Sequence, residues 1–446
     1  MKSLRVTGSL VALAAVSLLV PAAQIAAYPI DGYEETGIGR LEVARRVQAG
    51  EMYGSKQPPG GLLSLSEVDL RLLDRQDLQL PEPDAALSAS VIELLGDRKD
   101  DYQFALLDLS DPARPRYAEH GENYRANVGS VGKLLVGLAL FQALADLRPE
   151  AVDERRALLK NTRIVADEFV LTDHHTVRQW DPVLEVLTRR PLQPGDVGSI
   201  WEYLDWMMSA SSNSAASSLI RETMLMRKFG DEYPVTHDVG MRFFAETSRA
   251  ELGSLLIRTL QLPVTAAGFN LDEIRQGSFF TATGNRRVPG TKSYATPRTL
   301  IEFLLRMEQG RLVDEFSSRE LKRLLYSTER RIRYASAPAL NQAAVYFKSG
   351  SLYQCEPEAG FRCLKYHGNV KNLMNSVAIV ESPAGARKHH YMIALMSNVL
   401  RRNSAVDHQT LATGIHELIT TGAVTTATAL SRTEEELARA TGRTVD

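Results

Sequence analysis

The chain has 446 residues, 44% of them hydrophobic and 24% charged, and a formal net charge of −2. The composition is that of an ordinary globular protein with ample core, long enough for one large domain or two to three ordinary ones. The near-zero net charge excludes a broad electrostatic surface for nucleic acid.

At the start, Lys2 and Arg5 precede an apolar run over residues 8–20, Pro21 ends that run, and Ala26-Ala27 offers small residues for cleavage. This is the pattern of a secretory signal peptide over residues 1–27. The alternative is an uncleaved anchor, but the run is short for a membrane span. No later stretch is expected to cross a bilayer, and the apolar run over 134–147 reads as a buried core helix. Export to the periplasm or the medium follows as the expected location.

Residues 28–85 form an N-terminal extension of mixed character, with a short helix expected over 40–52 and breaks at the Gly/Pro cluster 54–61 and at Pro81-Glu82-Pro83. A helix is predicted over 85–95, a buried strand over 102–109 and a second strand over 116–120. From 130 to about 310 the pattern is mostly helical, with loops at 191–198 and 281–293. Strands return at 344–348, 377–381 and 391–397, and a helix follows at 406–420. Strands, then helices, then strands predict an α/β (α+β) domain over 86–422. Its antiparallel sheet is flanked by helices and interrupted by an all-α insertion at about 131–310. Residues 423–446 form a polar tail.

In an exported chain, Cys355 and Cys363, alone and with seven residues between them, predict one disulfide. A metal site would need more ligands nearby. His174-His175 and His389-His390 are adjacent pairs whose side chains point apart, so they read as surface histidines. No metal and no cofactor are expected.

Three stretches carry chemistry. In Asn127-Val128-Gly129-Ser130-Val131-Gly132-Lys133, a serine stands at the mouth of an apolar helix with a lysine one turn on. Residues three apart share a helix face, and a lysine made neutral by its surroundings is a base for a serine nucleophile. Free N–H groups at the helix start suit a developing oxyanion. In Ser211-Ser212-Asn213, between two helical stretches, Ser211 can pass a proton to a leaving group and Asn213 can meet a substrate amide. In Lys348-Ser349-Gly350-Ser351, a strand end presents a cation and a hydroxyl for a substrate carboxylate, and Gly350 leaves the backbone uncrowded.

Together these stretches resemble the S-x-x-K, S-D-N and K-T-G motifs, in that order, of the serine β-lactamase and penicillin-binding protein superfamily. The resemblance is closest to class A β-lactamases and runs from about 86 to 422. It implies that Ser130 is acylated with the help of Lys133, and that Ser211 relays a proton to the departing nitrogen. It implies further that Asn213, Lys348 and Ser349 bind substrate, and that the N–H groups of Ser130 and Ser351 form the oxyanion hole. Ser212 replaces the aspartate of the second motif, and Ser349 replaces the threonine of the third. The E-x-x-L-N pattern of class A enzymes, which carries the deacylating base, is broken here; Glu246 and Glu251 are the candidates. The expected function is a monomeric acyl-serine hydrolase that opens β-lactams. The alternatives are a D,D-peptidase-like enzyme acting on cell-wall peptides and a binding protein on the same fold. The expected partner is therefore a small-molecule β-lactam or a cell-wall peptide.

Overall fold

The computed structural model describes residues 29–121, 123–329, 331–424 and 429–432. The expected signal peptide and most of the expected polar tail lie outside them. The centre is a five-stranded antiparallel sheet of order β2-β1-β9-β8-β7. Its strands are β1 (Tyr102–Asp108), β2 (Arg116–His120), β7 (Ala344–Gln354), β8 (Lys371–Ser382) and β9 (His389–Asn398). Both faces are covered, so the strands read as continuous apolar runs rather than as alternating ones. Along β1, Ala105 and Leu107 join the core on the side of the large helical lobe. Phe104 and Leu106 pack on the other side, against the helices Ala85–Leu95 and Ala405–Thr421.

The first of these helices has the predicted bounds. Asp84 caps it by accepting from the Leu87 N–H at 2.9 Å. The insertion is largely helical, and it also carries two small strand pairs. β3 (Arg163–Val165) pairs with β6 (Val197–Ser199), and β4 (Val177–Asp181) pairs with β5 (Val186–Arg190). Neither pair was expected; the second is polar and only partly buried, without the alternation that betrays a half-buried hairpin.

The apolar helix Lys133–Leu147 runs through the core of this lobe. With the turn before it, residues 129–147 are long and apolar enough to cross a membrane, but most of the stretch is buried inside the protein. Residues 29–84 pack on the main body: Ile38, Leu41, Leu63, Val68 and Leu72 belong to the same core. Buried Arg40 pairs with buried Asp205, and Arg71 pairs with Glu381 on β8 at 3.0 Å. The cysteine-bearing loop leaves the exposed end of β7, and Cys355 and Cys363 are disulfide-bonded as expected, with Cα atoms 6.1 Å apart.

Candidate active site

The site forms where three chain segments meet. Ser130 lies in a 3-10 turn, Gly129–Gly132, that runs directly into the helix Lys133–Leu147. Strand β7 lies against this turn so closely that a Cβ on Gly350 would come within 1.9 Å of the Val128 carbonyl oxygen and 2.8 Å of the Ser130 nitrogen. Gly129, at φ +56°, faces the Ser351 nitrogen in the same way. No side chain fits at either position, and the contact sets the backbone of Ser130 and of Ser351 side by side.

The Lys133 Nζ is 2.9 Å from Ser130 Oγ, and it donates to the Ser211 carbonyl at 2.7 Å and to Asn213 Oδ1 at 2.8 Å. Lys133 is fully buried, and its polar contacts are the Ser130 and Ser211 hydroxyls, a carbonyl and an amide. Burial depresses its pKa to about 7, with Asp173 acting in the opposite direction. A neutral amine here donates to the carbonyl and the amide and keeps its lone pair for the Ser130 proton.

Ser211 stands at φ +62°, in the left-handed region that a non-glycine residue adopts at a cost. Its carbonyl meets Lys133, and its hydroxyl accepts from Lys348 Nζ at 2.8 Å. Ser211 therefore bridges the two lysines. Lys348 is also buried, and its pKa is pushed well down by burial and further by Lys133 and Arg333. Arg333, at φ +51°, donates to the Gly350 carbonyl at 3.1 Å, with its guanidinium 5.2 Å above the Tyr366 ring.

Two cavities share Ser130. The smaller, about 290 Å³, contains Lys348, Ser349, Arg333 and Arg189 and has one lining carboxylate, Glu329. The larger, about 600 Å³, is lined by Asn213, Gln276, Phe280 and Tyr353 among others, and by no carboxylate. His175, Lys365 and Tyr366 line both.

Several residues of this site were not expected. Asp173 brings a buried carboxylate to the turn whose motif lacks one. Its Oδ2 accepts from Ser212 Oγ at 3.0 Å, Asn213 N at 2.7 Å and Ser214 N at 2.9 Å. Its Oδ1 meets His175 Nδ1 at 2.6 Å and accepts from His175 N at 3.1 Å. Burial works to raise the Asp173 pKa, but His175 and the backbone donors hold it below the usual carboxylate range. His175 is thus half-buried at the site rather than a surface residue. His390 is buried too, 3.7 Å from Glu308, although it was also expected at the surface. Arg333 was not expected either: its place in the site rests on a strained backbone and on contacts with Gly350 and Tyr366, which a sequence does not display.

Glu246 and Glu251 are not brought to the site. Glu246 ends the helix His237–Glu246. Glu251 closes a capping box with Ser248 at the start of the helix Arg249–Ala266. Both are exposed and neither lines either cavity. Their place in the region that corresponds to the E-x-x-L-N loop made them candidates despite the broken pattern, but their chemistry is that of a helix end and a helix cap. The segment that does face Ser130 carries Gln276 and Phe280, whose ring lies 4.9 Å from Lys133 Nζ.

The site thus sets a serine and a desolvated lysine at the foot of a helix, beside an edge strand that carries a second buried lysine in its middle rather than at its end. The model of the β-lactamase enzyme family matches residues 86–412, and the chain belongs to that family. Among solved structures it is similar to PBP-A, at 14% identity over 76% of this chain and 98% of that one, with a TM-score of 0.45. It is similar to a β-lactamase from Sphaerobacter thermophilus at 15% identity, covering 75% of this chain and 98% of that one, with a TM-score of 0.45. It is also similar to the TLA-3 extended-spectrum β-lactamase at 15% identity, covering 74% and 96%, with a TM-score of 0.46. No curated protein matches the chain.

Proposed function

We propose that this member of the β-lactamase family is an exported acyl-serine hydrolase of class A type that opens a β-lactam amide through a Ser130 ester. The observation that carries this reading is Lys133, buried without a carboxylate partner and 2.9 Å from Ser130 Oγ. Neutral Lys133 takes the Ser130 proton as Oγ attacks the lactam carbonyl. The N–H groups of Ser130 and Ser351 receive the oxyanion, and such donors each contribute about 3–4 kcal/mol. The ring C–N bond then breaks, and the Ser211 hydroxyl passes a proton to the nitrogen, replenished through the lysines it touches. Lys348, Ser349 and Arg333 bind the substrate carboxylate, and Asn213 binds the side-chain amide. The leader-like N-terminus and the disulfide support action in the periplasm or outside the cell.

A second reading, a D,D-peptidase-like enzyme whose acyl group passes from Ser130 slowly to water, is favoured by one observation: the larger cavity has no carboxylate. One experiment tests both. Intact mass after mixing with a penicillin should show one adduct on the protein and none on Ser130→Ala, and a chromogenic cephalosporin should report turnover. Multiple turnovers support the first reading, and a single stoichiometric acylation the second. An equal adduct on Ser130→Ala would end both.

A further inference from the structure

The release of an acyl group from Ser130 needs a base for the incoming nucleophile, and neither Glu246 nor Glu251 is near enough to serve. Lys133, the base read above for acylation, lines neither cavity; among the described residues that do, the lysines apart, three side chains could take a proton without first losing one: Glu329, His174 and His175. Glu329 lines only the smaller, cationic cavity and lies 3.7 Å from Arg178. His174 is exposed, stacked 4.5 Å from the His175 ring. His175 alone is oriented: its Nδ1 is held 2.6 Å from Asp173 Oδ1, and the other Asp173 oxygen is fixed by three donors at the start of the 17-residue helix Asn213–Phe229. A ring held at Nδ1–H by a carboxylate carries its lone pair on Nε2, and no described residue engages that nitrogen.

We propose that the Asp173–His175 pair is a second acid–base centre of this site, with His175 Nε2 accepting the proton of the nucleophile that releases the acyl group from Ser130. The inference rests on Ser130 acylation as read above. A water or amine H–X attacks the ester carbonyl. The X–C bond forms as His175 takes the proton, and the Oγ–C bond then breaks. Ser130 Oγ recovers a proton from the imidazolium side through Lys133, so no proton is gained or lost over the cycle. Asp173 is the positioning residue: it fixes the tautomer of His175 and, through Asn213, the distance of this turn from Lys133. The groups that face His175 are Asp173, His174 and Lys133, and burial together with Lys133 and His174 keeps the ring neutral at lower pH than a free histidine.

The test uses the full-length protein acylated with a penicillin and freed of excess drug, with adduct loss followed by intact mass from pH 5 to 9. General bases contribute about 10²–10⁴-fold, so His175→Gln should slow adduct loss by at least about 100-fold, far more than it slows adduct formation. Release from the unaltered protein should fall as the pH drops below the range of a free histidine, about 6.5, and that limb should vanish in His175→Gln. Added imidazole should speed release from His175→Ala. Release from His175→Gln at the unaltered rate overturns the proposal. So does slowing with the pH limb intact, or slowing in Glu329→Gln but not in His175→Gln. A protein that forms no Ser130 adduct at all refutes instead the acyl-enzyme reading on which the proposal stands.

Discussion

Lys322 and Lys133 are equally buried, and their surroundings are opposite. The Lys322 ammonium group lies 2.6 Å from Glu308 Oε1 and 2.7 Å from Glu381 Oε1, and it donates to the Asp69 carbonyl at 2.6 Å. Burial works to raise the Glu381 pKa, but Lys322 and Arg71 hold it down at about 2. This cluster joins the N-terminal extension, a lobe helix and β8 through fully compensated charges. Lys133 meets only neutral acceptors, and Lys348 meets neutral acceptors with two more cations nearby. A lysine buried with carboxylates holds a structure together; a lysine buried without them is held ready to lose or share a proton.

Substituting each lysine with methionine separates the two uses. Lys133→Met should lower the acylation rate by about 10²–10⁴-fold, measured by stopped-flow or intact mass. It should leave stability unchanged or raised, because an uncompensated buried amine gives way to apolar packing. Lys322→Met should reverse the pattern. Removing one partner of a buried charge network costs about 3–5 kcal/mol, read by denaturant unfolding, while the acylation rate of the folded fraction holds. Equal effects of both variants on both measurements would break the distinction.

The same contrast sets the pH dependence. Below a pKa of about 7, Lys133 is protonated and cannot take the Ser130 proton, so acylation should rise as pH passes through about 7. Lys348 has the opposite requirement: it must be charged to hold a carboxylate. Its pKa is lowered by burial and by its cationic neighbours, so carboxylate substrates should lose affinity as pH rises, and neutral esters should not. Lys348→Ala should remove that falling limb. It should weaken carboxylate substrates by at least about tenfold, since a desolvated charged hydrogen bond is worth about 1.5–3 kcal/mol. An equal loss on neutral esters would show that Lys348 acts on the chemistry rather than on binding.

What could be read from the sequence follows the range of the forces involved. The helix Ala85–Leu95 announces itself through Asp84 and its apolar spacing, and the β1 run through its buried residues; both are local signals. Ser130 and Lys133 lie on one turn, so their meeting is local as well. β7 runs six residues beyond the predicted strand because Leu352 and Tyr353 are partly exposed and paired only by backbone register. Asp173 was invisible for another reason. It lies 39 residues before the serine it bonds, across a polar strand pair with no apolar pattern, so nothing in the sequence ties it to the Ser-Ser-Asn turn.

Asp173 also allows a sharper substitution. Asp173→Asn should slow acylation by about tenfold, the lower end for lost charged hydrogen bonds. Removing the one negative charge that opposes the depression of Lys133 should move the rising pH limb downward. Ser212→Asp in the Asp173→Asn background places a carboxylate at the same helix start and should move the limb back, whereas Ser212→Asn should not. A pH limb that stays fixed in all three would show that Asp173 only shapes the turn.

The smallest effect is expected at the disulfide. Cys355 and Cys363 close a loop eight residues long in sequence separation, and in the chain-entropy model so short a loop contributes at most about 2–3 kcal/mol. The residues that follow are Lys365 and Tyr366, which line both cavities, with Tyr366 beneath the Arg333 guanidinium. The Tyr366 carbonyl is in turn tied to Asn372 Nδ2 at 3.0 Å, at the start of β8. One end of this wall is thus fastened to the sheet by hydrogen bonds; the other is held by the cystine together with the bonds of Glu356 and Glu358 to Asn369 and Arg401. Replacing both cysteines with serine should leave Ser130, Lys133 and Ser211 in register. The loss should therefore fall on KM for bulky substrates, by a few-fold, with kcat held within about twofold, because the binding lost is common to ground and transition states. A fall in kcat with KM unchanged would mean that the loop positions the reacting groups themselves.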